Sequence, residues 1–179
     1  MTYIPNGFPT AMTSEDNTVA RVKVEDSSTA QASGSEFQTA QTSTGSTTPQ
    51  VLRVTAPQPI DVTEMEMTIV VGGVNVQIYE ASQGTPSGTF TATPVQSTNP
   101  RKPKAPTFSI ASGGAFAPTG NALRQMMVNG GTAVAPLASQ LRVNSKRLSL
   151  PAGTYYIVTG LLSGVSTFTG QLIVTIAEA

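Results

Sequence analysis

Apolar side chains in this chain recur at every second position, in short runs that Gly or Pro closes. Val74, Val76 and Ile78 alternate with Asn75, Gln77 and Tyr79, and Leu172, Val174 and Ile176 line one face of Gln171 to Ile176. Period two is the repeat of an extended strand with one face buried. Roughly eight such strands, with turn signals about every ten residues, indicate an antiparallel sandwich or barrel. The composition agrees, because Thr, Val, Gly and Pro are plentiful while the helix formers Glu, Lys, Leu and Arg are scarce.

Residues 1–48 read as an extended Ser/Thr-rich N-terminal arm, and residues 49–179 as the body. Pro5 and Pro9 exclude a helix around Asn6-Gly7-Phe8. Tyr3, Ile4 and Phe8 are too apolar for a merely solubilising tail, so they are expected to dock on a partner. Thr18 to Val24 has a strand pattern, with Ala20, Val22 and Val24 on one side and Arg21 and Lys23 on the other. In residues 25–48 Phe37 is the one large apolar side chain, a further candidate partner contact, and Glu36 to Ala40 forms a possible strand.

In the body, Val51, Leu52 and Val54 form a strand closed by Pro57 and Pro59. Ile60 and Val62 have one parity; Met65, Met67, Ile69 and Val71 have the other. One added residue reverses every later side chain, so a bulge or bend is expected between them. Gly72-Gly73 reads as a hairpin turn returning into Val74 to Tyr79. Gln83 to Gly88 reads as a turn before a strand at Thr89 to Val95, and Thr107 to Ala111 as a short strand ended by Gly113-Gly114. Asn121 to Val128 fits a helix capped by Asn121 or a strand. Pro151-Ala152-Gly153 is a turn delivering the strand Thr154 to Thr159.

The chemistry is narrowed by what is missing. With no His and no Cys, the chain has no imidazole base, no thiol nucleophile, no disulfide and no His or Cys metal ligand. No catalytic residue, cofactor site or metal site is expected. Asp61, Glu64 and Glu66 are the densest carboxylates of the body; Glu64 and Glu66 share a strand face and could work as an acid and base pair or bind a hard cation, but they also fit the wet face of that strand. Ser145 and Lys146 are adjacent, so in a strand they point to opposite faces and cannot form a dyad. No apolar run is long enough to span a bilayer, and the N-terminus lacks the pattern of a signal peptide. The expectation is a non-enzymatic protein with no membrane partner.

The zero net charge conceals a division. Residues 1–80 hold nine acids and three bases, and residues 81–179 hold seven bases and one acid. Either the two surfaces neutralise one another within one fold, or copies associate head to tail through them. Three cations, Arg101, Lys102 and Lys104, stand in the Pro-rich segment from Asn99 to Pro106 and are candidate partner contacts. Nucleic acid is a poor fit, because the chain lacks a net positive field and interleaved aromatics.

Pro151-Ala152-Gly153-Thr154-Tyr155-Tyr156, Phe168-Thr169-Gly170 and terminal Glu178 carry a resemblance. Val51-Leu52-Arg53-Val54, Val76-Gln77-Ile78-Tyr79, Gly88-Thr89-Phe90 and Ser112-Gly113-Gly114 extend it over about residues 35–179. The chain resembles the β-rich virion proteins of tailed bacteriophages, in particular capsid decoration (cement) proteins. The resemblance implies an all-β, jelly-roll-like antiparallel sandwich with an extended N-terminal arm. It also implies a trimer on the outer capsid, made in the host cytoplasm, that clamps neighbouring major capsid subunits. Two alternatives are a tail- or head-fibre module binding a host glycan through Tyr79, Tyr155 and Tyr156, and a glycosidase or lyase using Glu64, Glu66 or Glu80.

Overall fold

A computed structural model describes residues 33–130, 139–143 and 147–178, with the backbone alone described for 139–143. Tyr3, Ile4, Phe8, the strand pattern at Thr18 to Val24 and the Ser145-Lys146 pair lie outside the described residues. In chain order the strands are β1 (Glu36–Ser46), β2 (Gln50–Ala56), β3 (Ile60–Val71), β4 (Gly73–Glu80), β5 (Gly84–Ala92) and β6 (Gln96–Ser97). They continue as β7 (Ser109–Pro118), β8 (Arg124–Asn129), β9 (Ser139–Val143), β10 (Leu148–Leu150), β11 (Gly153–Leu161) and β12 (Phe168–Glu178).

These strands form two antiparallel sheets packed face to face. One has the order β10-β3-β12-β1-β6, with β9 also pairing β3; the other has the order β5-β7-β2-β11-β4-β8. From β1 to β4 every connection crosses from one sheet to the other, and β11 and β12 again lie in opposite sheets. With β9 and β10 taken as one interrupted strand and β5 to β7 as an insertion, the remaining orders are β9/β10-β3-β12-β1 and β2-β11-β4-β8. That is jelly-roll order, so the all-β sandwich has the topology expected of it. The first sheet contributes Phe37, Met65, Met67, Leu172, Val174 and Ile176 to the core, and the second contributes Leu52, Val76, Ile78 and Ile157.

The parity change in β3 is a bulge. Opposite β12 the register moves between Thr175 and Ile176, leaving Thr63 as the extra residue between Val62 and Glu64. Ile60 and Val62 before it, and Met65, Met67 and Ile69 after it, all face the core. Thr63 Oγ1 donates to the Thr175 carbonyl at 3.3 Å.

Four local expectations are corrected. First, Gly72-Gly73 does not close a hairpin, since β3 and β4 belong to different sheets. Gly72, with φ +84, turns the corner between the layers, and a Cβ there would lie 2.3 Å from the Thr167 carbonyl oxygen. Second, residues 36–46 are a full strand of the body rather than part of an arm. β1 pairs with β12 from Glu36 to Ser46. Phe37 is therefore fully buried, edge-to-face with Phe108 at 5.5 Å, and presents no ring to a partner. Third, Gln83 to Gly88 and Gly113-Gly114 do not delimit strands. A 3-10 turn covers Ala81–Gln83, after which β5 and β7 run through these glycines as a bent hairpin. Fourth, the open choice at Asn121 to Val128 resolves as strand β8, with Met126 and Val128 buried and Met127 exposed.

The bent β5–β7 hairpin brings Phe116 over the outer face of the second sheet and creates a second, smaller core. Phe116 stacks on Tyr156 at 4.3 Å and sits 5.6 Å from Tyr79, while Phe90 lies 5.9 Å from Tyr156. Val51 and Val158 complete the cluster. Arg53 closes its rim, with its guanidinium 4.7 Å from the Phe90 ring centre, a cation–π contact.

Candidate functional site

Two surface features stand out, and they meet near the start of β1. The first is the loop between β6 and β7. Its prolines restrict the backbone. The Asn99 side-chain oxygen accepts from the Arg101 amide at 3.0 Å, and the Asn99 carbonyl accepts from the Lys102 amide at 3.2 Å. Both ends are tied to the first sheet: the Thr98 amide donates to the Glu36 carbonyl, and Glu178 accepts from the Thr107 amide and hydroxyl. Gly34 packs so closely that a Cβ would lie 2.1 Å from the Lys102 carbonyl oxygen. Arg101, Lys102 and Lys104 are all exposed on this braced loop. The structure thus brings the three cations of the sequence reading together, beside the point where residues 1–32 join the body.

The second feature was not visible in the sequence. Beyond Gln38, nothing among the described residues pairs with the β1 edge facing away from β12. A polar cleft of about 450 Å³ runs beside this edge, lined by Gln41, Thr42, Gln50, Thr91, Thr93 and Ser112. A smaller cleft of about 230 Å³ continues it toward Gln38 and Pro94. The Gln41 Oε1 and Thr93 Oγ1 atoms are buried there without a hydrogen-bond partner. Thr and Gln carry no motif, and which strand becomes an edge is a property of topology, so no pattern in the chain marks this cleft.

The carboxylates do not converge. Glu64 and Glu66 stand on the outer face of the first sheet, whereas Glu80 ends β4 in the second. Among the described residues no three Asp or Glu side chains gather as a metal site. Asp61 is buried in β3 ahead of the bulge, and accepts from Arg147 Nη2 and Ser149 Oγ, a structural ion pair closing β10 against β3.

All three tyrosines suggested as a glycan platform are buried. Tyr79 and Tyr156 belong to the second core, and the Tyr155 hydroxyl donates to the Pro151 carbonyl at 2.8 Å. Desolvation raises the Tyr79 pKa. It also raises that of Tyr155, with the Glu80 carboxylate adding to it. Among the described residues no helix is long and apolar enough to cross a membrane.

Comparison of the chain with models of protein families, with curated proteins and with solved structures found no match.

Proposed function

We propose that this chain is a non-enzymatic virion structural protein. It binds the outside of a phage capsid as a trimer and stabilises contacts between major capsid subunits. The observation that carries the reading is the basic loop: three exposed cations on a proline-stiffened support, anchored to two strands of a jelly-roll body. A pre-ordered cationic loop loses little conformational freedom when it meets an acidic protein surface, so its charge is available for binding. Jelly rolls recur in viral shells, which supports the reading at the level of fold. Weak contacts repeated over many copies suit a shell clamp and need no reactive side chain.

The test is co-sedimentation of the purified protein with shells lacking it. The triple variant Arg101→Glu, Lys102→Glu, Lys104→Glu is expected to fold normally and to lose shell binding. Wild-type binding should also weaken as salt rises. Equal binding by the variant, or electron-microscopic labelling confined to the tail, overturns the proposal. The fibre alternative has lost its aromatic platform, because Tyr79, Tyr155 and Tyr156 are buried.

A further inference from the structure

The free edge of β1 is the most consequential unfilled feature of the body. The Thr98 amide donates to the Glu36 carbonyl, so the backbone groups of Glu36 point toward the β6 side. Backbone direction alternates along a strand, so Ala40 and Thr42 present their N–H and C=O groups on that same side, past the end of β6 and before the register shift that follows Ser43. An open strand edge is a template for another strand. Here a cleft also stands beside it, holding two buried oxygens that lack a donor.

We infer that residues 18–24 of a second copy of this chain add to the β1 edge as an extra strand. Thr18 to Val24 is the segment outside the described residues with strand alternation, and its two faces match the two sides of the edge. Arg21 and Lys23 turn toward the polar cleft lined by Gln41, Thr91 and Thr93, which is open enough to keep their charges hydrated. Ala20, Val22 and Val24 turn outward and extend the apolar pair formed by Ala40 and Ile173 across β1 and β12. The occupant comes from a neighbour because β6 fills the lane beside Phe37 and Gln38. The contact is heterologous, each copy giving a strand and receiving one, so it generates a ring or a filament. It does not depend on the capsid reading, and it holds or fails in solution without shells.

The absence of native cysteine makes disulfide trapping clean. The full-length Val22→Cys variant is mixed in turn with Ala40→Cys, Thr42→Cys and Thr44→Cys, so that a register slip does not hide the contact. Gln125→Cys on β8, an edge strand of the other sheet, is the control. The expected result is a covalent heterodimer forming at least about tenfold faster with a β1 position than with Gln125→Cys. In the double variant Val22→Cys, Ala40→Cys, the bond is expected between chains. Rates equal to the control, or a bond formed within one chain, overturn the inference. Thr42→Pro removes an N–H that faces the free side, so the β1–β12 ladder survives and the assembly is expected to dissociate to monomers by light scattering. A folded Thr42→Pro protein that assembles like wild type also overturns it; should that variant fail to fold, the disulfide rates decide.

Discussion

Replacing Phe116 with Ala should release the β5–β7 hairpin while the main sandwich stays folded. Phe116 is 7% exposed and packs within a cluster separate from the main core. Burying a Phe side chain is worth about 1.5–3 kcal/mol. Its two ring contacts, with Tyr156 at 4.3 Å and Tyr79 at 5.6 Å, add about 0.5–1.5 kcal/mol each. The total, about 2.5–6 kcal/mol, brackets the usual cost of about 3–5 kcal/mol for Phe→Ala in a core. The lower end applies, because a hairpin on an outer face can settle into the gap more easily than the interior of a sandwich. A loss of about 3 kcal/mol multiplies the open population by about a hundredfold or more. Native-state hydrogen exchange reads this directly: amides of Gly84–Ser87 and Ala115–Ala117 should exchange faster by that factor, while those of β11 and β12 change little. Val76→Ala, in the fully buried main core, serves as the contrast and should lower protection in both regions together. If Phe116→Ala leaves hairpin exchange within about threefold of wild type, or accelerates β12 as much as the hairpin, the second core is not a separable unit and the reasoning fails.

Three further predictions concern stability. At the Asp61–Arg147 pair, Arg147→Ala should cost more, about 2–3 kcal/mol, than Asp61→Ala, about 1–2 kcal/mol, in urea titrations. The first leaves a buried carboxylate with Ser149 alone of its two donors; the second leaves a cation whose side chain is 39% exposed and can turn to water. Tyr79 and Tyr155 have raised pKa values, so the folded state holds their protons more tightly than the unfolded chain does. Their contribution is intact below about pH 10 and is lost as pH rises through the folded-state values. Tyr155→Phe should therefore lose about 1 kcal/mol at pH 7 with the Pro151 hydrogen bond, yet show a shallower fall of urea midpoint above pH 10. Gly72→Ala should cost more than about 2 kcal/mol, through its positive φ and the approach to Thr167, and a normal urea midpoint would argue against the corner.

What could be read from the chain was whatever depends on neighbouring residues. The bulge in β3 was legible because Val62 and Met65 have opposite parity yet are both apolar, and only an extra residue reconciles them. Parity does not say which sheet a strand joins, so a hairpin and a corner at Gly72 have the same sequence signature. Phe37 reads as part of an arm because its neighbours are Ser, Glu, Gln and Thr. Thr39 and Ser43 are buried all the same, being small enough to lie at the edge of the core. Tyr79 and Tyr156 do stand on the outer face, as alternation requires. It is the inserted hairpin, more than thirty residues from either strand partner of its cover in the case of Tyr156, that removes them from solvent. The three cations were visible as a cluster, but their bracing against Gly34 and Glu178 depends on contacts distant along the chain.

The last two strands of the body, β11 and β12, occupy the middle of their sheets, β11 between β2 and β4 and β12 between β3 and β1. During synthesis the earlier strands emerge from the ribosome with no inner partner to join. Both layers stay open down the centre until β12 has emerged, so the body has no stable half-made form and folds in a late and concerted step. Until then the alternating strands expose unpaired edges and apolar faces. The cell making this protein must therefore protect these strands from aggregation until β12 is free to join them.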